Sequence, residues 1–263
     1  MKKLRNAVTS LFVSLAIMIV ASAAQAATLR AFVSTTGNDA NAATNCAQTA
    51  PCRTFAGAFP TVTAGGELIV LDTSGYGPLT INKAITIAAV PGATAFVVAA
   101  TGTAGFTVSA GASDLVVLRN INFNGSNAAN TTGINHTSGK LDVYDCKFSQ
   151  LTTGIVLVNS KARLLDCLVT GNTTGASVSG AGTNTSAPAT ALLTLVRGSF
   201  TFNGTALSVT NPGTNPVFNI WVLGPSSGSW YTDFSHNTTF LASSGTGCPC
   251  TFIGTYSGIP SPN

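Results

Sequence analysis

The triplet Thr-Thr-Gly occurs three times in this chain, at residues 131–133, 152–154 and 173–175, so that successive copies lie 21 residues apart. The first two copies are followed by parallel runs: Ile134 or Ile155, then Lys140 to Phe148 or Lys161 to Val169, with Asp145-Cys146 matching Asp166-Cys167. A fixed period of this length marks a solenoid, in which no repeat can bury its apolar face alone and each covers its neighbour. That single constraint removes most globular architectures from consideration.

The pattern within one repeat chooses strands over helices. Leu141 and Val143 alternate with polar neighbours, as do Cys146 and Phe148, but the two pairs are out of phase across Tyr144-Asp145. Period two interrupted by a slip is two strands joined at a bend. The same slip recurs at Arg119-Asn120, at Leu165-Asp166 and at Val196-Arg197. The region is rich in Thr, Val, Gly, Asn and Ser rather than in good helix formers. Each repeat therefore reads as one coil of a parallel β-helix, with equivalent positions stacked about 4.8 Å apart. The expected inward columns are Ile121, Cys146, Cys167, Gly198; Phe123, Phe148, Val169, Phe200; and Val108, His136, Leu157, Val178.

These repeats, with the segment Cys46 to Thr54 and the run Gly65 to Asp72, resemble bacterial exported right-handed parallel β-helix proteins of the pectin-lyase-like fold. The resemblance implies an all-β, single-stranded right-handed parallel β-helix whose N-terminal cap contains a short helix. It invites a polysaccharide lyase or galacturonase activity. However, the Asn-Thr-Asp, paired Asp-Asp, Gly-His-Gly and Arg-Ile-Lys motifs of galacturonases and the Trp-Ile-Asp-His type motif of pectate lyases are absent, and no catalytic residue carries over.

Residues 1–26 read as a signal peptide: Lys2, Lys3 and Arg5 precede the apolar run Leu11 to Val20, and Ala24-Gln25-Ala26 offers a small-residue cleavage site. The apolar run is short for a membrane span. Cleavage would lower the net charge from +4 to +1. The basic balance that would argue for nucleic acid leaves with the leader. The expected organisation is a signal peptide at 1–26, an N-terminal cap at 27–64, the parallel β-helix at 65–230, and a C-terminal cap and tail at 231–263. No membrane span is expected in the mature chain, which would be periplasmic or extracellular. The cap should hold a strand at Thr28 to Val33 and an amphipathic helix at Arg53 to Val62, since a solenoid must close its end.

In an exported protein, Cys46 and Cys52 read as a local disulfide, contributing about 2 kcal/mol by loop entropy. Cys146 and Cys167 would stack in neighbouring coils with parallel side chains, and are read as reduced core neighbours, a bridge being the alternative. Cys248 and Cys250 flank Pro249 and could bridge under strain, pair elsewhere or remain free. No zinc ligand set is present.

Stacking brings charged residues together in columns. Asp145 falls over Asp166, with Asn120 and Arg197 as flanking members, and Asp142 falls over Arg163. Paired carboxylates beside Arg163 or Arg197 could serve a glycan-cleaving enzyme, and calcium enters only on that reading. Asn and Asp at a bend are also favoured because they tolerate left-handed backbone, and this structural reading is preferred. Asp142 and Arg163 are expected to form an exposed ion pair. His136 is expected to be hydrogen-bonded in the core or at its mouth, whereas His236 has no recognisable partner. Trp221, Trp230 and Tyr231 could stack on sugars, or plug the C-terminal end, the reading preferred here. The segment 181–190 reads as a loop thrown out from one coil.

The function expected from these features is that of an exported, non-catalytic β-helix protein, surface-associated, adhesive or binding a polysaccharide or cell-surface glycan. The alternative is a lyase or hydrolase acting on extracellular polysaccharide. No cofactor is expected on the first reading.

Overall fold

The computed structural model describes residues 27–179, 191–210, 218–223, 234–244 and 250–253. Among these residues the strands form three sheets of nine, seven and six strands, and the strands of each pair parallel to one another. This is the expected right-handed parallel β-helix. One coil runs through Lys140–Tyr144, Lys147–Ser149 and Thr153–Val158, one strand in each sheet, and the next through Lys161–Leu165, Leu168–Thr170 and Thr174–Ser179. The coil after that has Ala191–Val196, Ser199–Thr201 and Thr205–Thr210.

The first corner of each coil is a single left-handed residue. Asn120, Asp145, Asp166 and Arg197 have φ of 55°, 52°, 56° and 50°. This conformation reverses the side-chain phase and produces the slip seen in the sequence. At the second corner, asparagines do the work. Asn172 donates from Nδ2 to the Phe148 carbonyl at 3.1 Å and to Asn203 Oδ1 at 3.0 Å. Asn203 likewise donates to the Val169 carbonyl and to Asn237 Oδ1, both at 3.0 Å. Asn172 and Asn203 are buried, and the ladder pairs backbone groups that the turn would otherwise leave unsatisfied.

The recurring glycine of Thr-Thr-Gly lies at the start of a strand in the seven-stranded sheet, where the next coil leaves no room for a side chain. A Cβ on Gly175 would stand 2.5 Å from the Ala206 carbonyl oxygen, and one on Gly105 2.9 Å from that of Gly133. Inside, the expected columns are in register: Phe148 pairs with Phe123 and Val169, Val169 with Phe200, and His136 with Val108 and Leu157. Phe123 and Phe148 stack with centroids 4.9 Å apart, and Phe106 meets Phe123 edge-on at 5.1 Å. Stacked and edge contacts of this kind add to the burial of the rings.

The N-terminal strand Thr28–Val33 forms as expected and is the outermost strand of the nine-stranded sheet. Its open edge is covered by the disulfide loop: Phe32 N–H donates to the Cys46 carbonyl at 2.9 Å, and Cys52 N–H to the Phe32 carbonyl at 2.9 Å. The Cys46–Cys52 bridge is present, with Cα atoms 5.0 Å apart. The helix is shorter than expected. It spans Phe55–Ala58, capped by the Thr54 hydroxyl accepting from Gly57 N–H at 3.0 Å, and Pro60 follows in a tighter 3-10 turn at Phe59–Thr61. Thr28–Val33 and Val62–Val70 already belong to the nine-stranded sheet, while Thr239–Ser244 and Cys250–Ile253 continue the sheets past residue 230. The signal-peptide residues and the loop 181–190 lie outside the described residues.

Candidate functional site

The carboxylates of the bend column do not form a free pair. Asp166 receives two hydrogen bonds from Arg197 of the next coil, from Nε at 2.7 Å and from Nη2 at 2.5 Å. Those bonds hold its carboxyl below the usual range despite some desolvation. Asp145 is exposed, one coil away, and its own N–H is spent on the Leu165 carbonyl at 3.1 Å. Arg163 is not part of this column. It lies on the outer face of the nine-stranded sheet, in register with Asp142 and Thr194. Asp145, Asp166, Arg163 and Arg197 are thus divided between a corner and a sheet face. Among the described residues no cluster of three or more His, Cys, Asp or Glu could hold a metal ion.

The Asp142–Arg163 pair corrects one expectation. It forms, with Nε donating to Oδ1 at 2.8 Å and Nη2 to Oδ2, but the Asp142 side chain is 9% exposed against 55% for Arg163. The arginine binds the carboxylate from its outer side, so that little of Asp142 faces water. The Asp142 carboxylate in turn raises the Arg163 pKa.

Beside this pair, Lys140 stacks on Lys161, and their column continues to Leu115 on one side and Leu192 on the other. Together these residues line a shallow groove of about 320 Å³ on the sheet. Both lysines are exposed, and neither takes part in an ion pair among the described residues. Two like charges on adjacent strands repel. The arrangement therefore presents uncompensated positive charge between leucines. Farther across the same sheet, the Arg119 guanidinium sits 4.0 Å from the Tyr144 ring centroid.

His136 is fully buried, as its column requires. Its Nε2 is 3.1 Å from the Ser138 carbonyl, while Nδ1 has no partner. Burial pushes its pKa down to about 4, against the raising effect of hydrogen bonds to the Ser138 and Gly139 backbone. Cys146 and Cys167 are free, buried thiols, and burial raises both pKa values. They pack as core residues, not as nucleophiles.

Trp221 stands in the strand Phe218–Leu223, opposite Thr194 of the groove. Trp230, Tyr231 and Cys248 lie outside the described residues, as does the Cys250 side chain. His236 does have a partner: it stacks on Phe202, with centroids 4.8 Å apart and planes at 17°. Neither this pair nor the Asn172–Asn203–Asn237 ladder is read from the sequence, because coils of different length separate their members. The visible signal is an asparagine set two residues before the next strand.

No family model matches the chain, and no curated protein matches it. Among solved structures, the crystal structure of pectate lyase Pel9A is similar over 79% of this chain and 78% of that chain, with 13% identity and a TM-score of 0.33.

Proposed function

We propose that the mature chain is exported and acts as a non-catalytic module that binds an acidic extracellular polysaccharide along the outer face of the nine-stranded sheet. The observation that carries this reading is the Lys140–Lys161 stack. Two ammonium groups one strand spacing apart, flanked by Leu115 and Leu192, offer charge to carboxylates and apolar surface to sugar C–H faces. The regular sheet holds them on a rigid scaffold, and the coil axis gives an extended polymer a direction to follow. Engagement of Asp166 by Arg197 and of Asp142 by Arg163 supports a binding role over an acid–base one.

The test is retention of the purified mature chain on immobilised polygalacturonate, alginate and neutral glucan, with unsaturated products and new reducing ends followed in parallel, with and without calcium. Retention on an acidic polymer that weakens with salt and is lost in Lys140→Gln/Lys161→Gln supports the proposal. Product formation would replace it with the lyase or hydrolase reading, and equal retention of the double variant would remove the groove from the site.

A further inference from the structure

The corner between the six- and seven-stranded sheets stacks Gln150, Gly171, Phe202 and His236 in one column. Ser149 pairs with Thr170 and Thr170 with Thr201, and Asn203 bonds to Asn237 one residue further on. All four column members are left-handed, with φ of 56°, 66°, 56° and 58°. Their side-chain directions therefore repeat from coil to coil. Glycine suits such a position, whereas a bulky ring is unusual there. Phe202 is nevertheless 64% exposed, so burial in the core does not account for it.

One face of the Phe202 ring is covered by His236. In the coil on the opposite side stands Gly171, where an added Cβ would meet nothing within 4 Å. The next member, Gln150, is exposed and lies two strand spacings from Phe202, about 9.6 Å. Its Oε1 accepts from Asn124 Nδ2 at 2.9 Å, which leaves the amide N–H groups of Gln150 as donors. The column thus contains a notch one side chain deep, with an aromatic ring on one wall, an amide on the other and backbone as its floor.

We propose that this notch holds one pyranose ring of a neutral oligosaccharide, its C–H face on Phe202 and a hydroxyl bonded to Gln150. A ring stacked about 3.5–4 Å from Phe202 leaves roughly 6 Å, enough for the thickness of a chair and a hydrogen bond of about 2.9 Å. A flat aromatic guest would leave that space partly empty. No residue of the column other than His236 carries a titratable group, so the notch has no fixed charge to match an acidic sugar. The site is separate from the lysine groove and goes beyond the acidic-polymer reading.

The experiment is an NMR titration of the mature chain, labelled at phenylalanine, with cellohexaose, xylohexaose and mannohexaose. One of these sugars should shift the Phe202 ring resonance saturably. Phe202→Gly and Gly171→Asn, both compatible with left-handed backbone, should each weaken binding by roughly ten-fold or more while the circular dichroism spectrum stays unchanged. In the first variant the loss is read by calorimetry. Lys140→Gln/Lys161→Gln should bind these sugars as the parent does, which separates this site from the groove. The proposal is overturned if no sugar shifts the ring, if both notch variants retain parental affinity, or if p-cresol binds more tightly than every sugar.

Discussion

A Cβ atom on Gly133 would lie 2.5 Å from the carbonyl oxygen of Gly154, one coil along. The same close approach joins Gly154 to Gly175 and Gly175 to Ala206. The glycine of each triplet therefore sits where the backbones of successive coils touch, and the space is closed by main chain that cannot rotate aside. We expect Gly154→Ala to cost about 1–3 kcal/mol, as overpacking does in a filled core. Thermal unfolding should show a lowered midpoint, and an unchanged midpoint would mean that the coils can separate at this corner.

The Asn203 side chain closes four hydrogen bonds. Its Oδ1 accepts from the Asn172 backbone and side-chain amides at 3.1 and 3.0 Å, while its Nδ2 reaches Val169 and Asn237. Asn203→Ala leaves several buried groups without partners. The expected loss is about 2–4 kcal/mol, larger than for an exposed turn asparagine. Urea unfolding with an unchanged slope would measure it.

His136 links stability to acidity. Its folded pKa of about 4 lies below the usual unfolded value of about 6.5. Its neutral form is the one the core accepts, so its stabilising contribution is complete above about pH 6.5. It declines as the pH falls towards 4, because the unfolded chain takes up the proton first. The full decline is worth about 3 kcal/mol. In His136→Leu, which copies the neighbouring Leu157 and removes the unpaired Nδ1, the fall in stability between pH 6.5 and pH 4 should be shallower than in the parent. Parallel pH profiles of the two chains would show the histidine to be uninvolved.

The two stacked ion pairs should behave differently. Arg163→Gln strips the cover from the buried Asp142 carboxylate and should cost about 1–2 kcal/mol. Arg197→Gln acts on a pair whose side chains are both substantially exposed and should leave the unfolding midpoint close to that of the parent. Raising the salt concentration should reduce any effect of Arg197→Gln further. Equal destabilisation by the two variants would contradict the difference in burial.

Much of this architecture is written in local pattern. The slip at Asp145 and Asp166 reveals a left-handed corner because a single αL residue reverses the side-chain phase. The strands beside it follow from alternation. The period brings Phe123 over Phe148 and His136 beside Leu157 before any coordinates are known. Cys46 and Cys52 are close enough in sequence for their pairing to be a local matter.

What depends on the exact path between coils escapes the sequence. Asn172, Asn203 and Asn237 form one ladder although 31 and 34 residues separate successive members. Their equivalence exists only after coils of unequal length have closed. The burial of Asp142 is equally non-local, since it depends on how the Arg163 side chain crosses the strand spacing. The same is true of Phe202, whose exposed ring gains its meaning from His236 on one side and the bare backbone of Gly171 on the other. Sequence alone determined that the chain winds into stacked parallel strands, because a repeated apolar alternation can be buried only by a neighbouring copy. The tertiary structure decided which side chains meet on the outside, because those meetings depend on corner geometry and on register across coils, neither of which the repeat specifies.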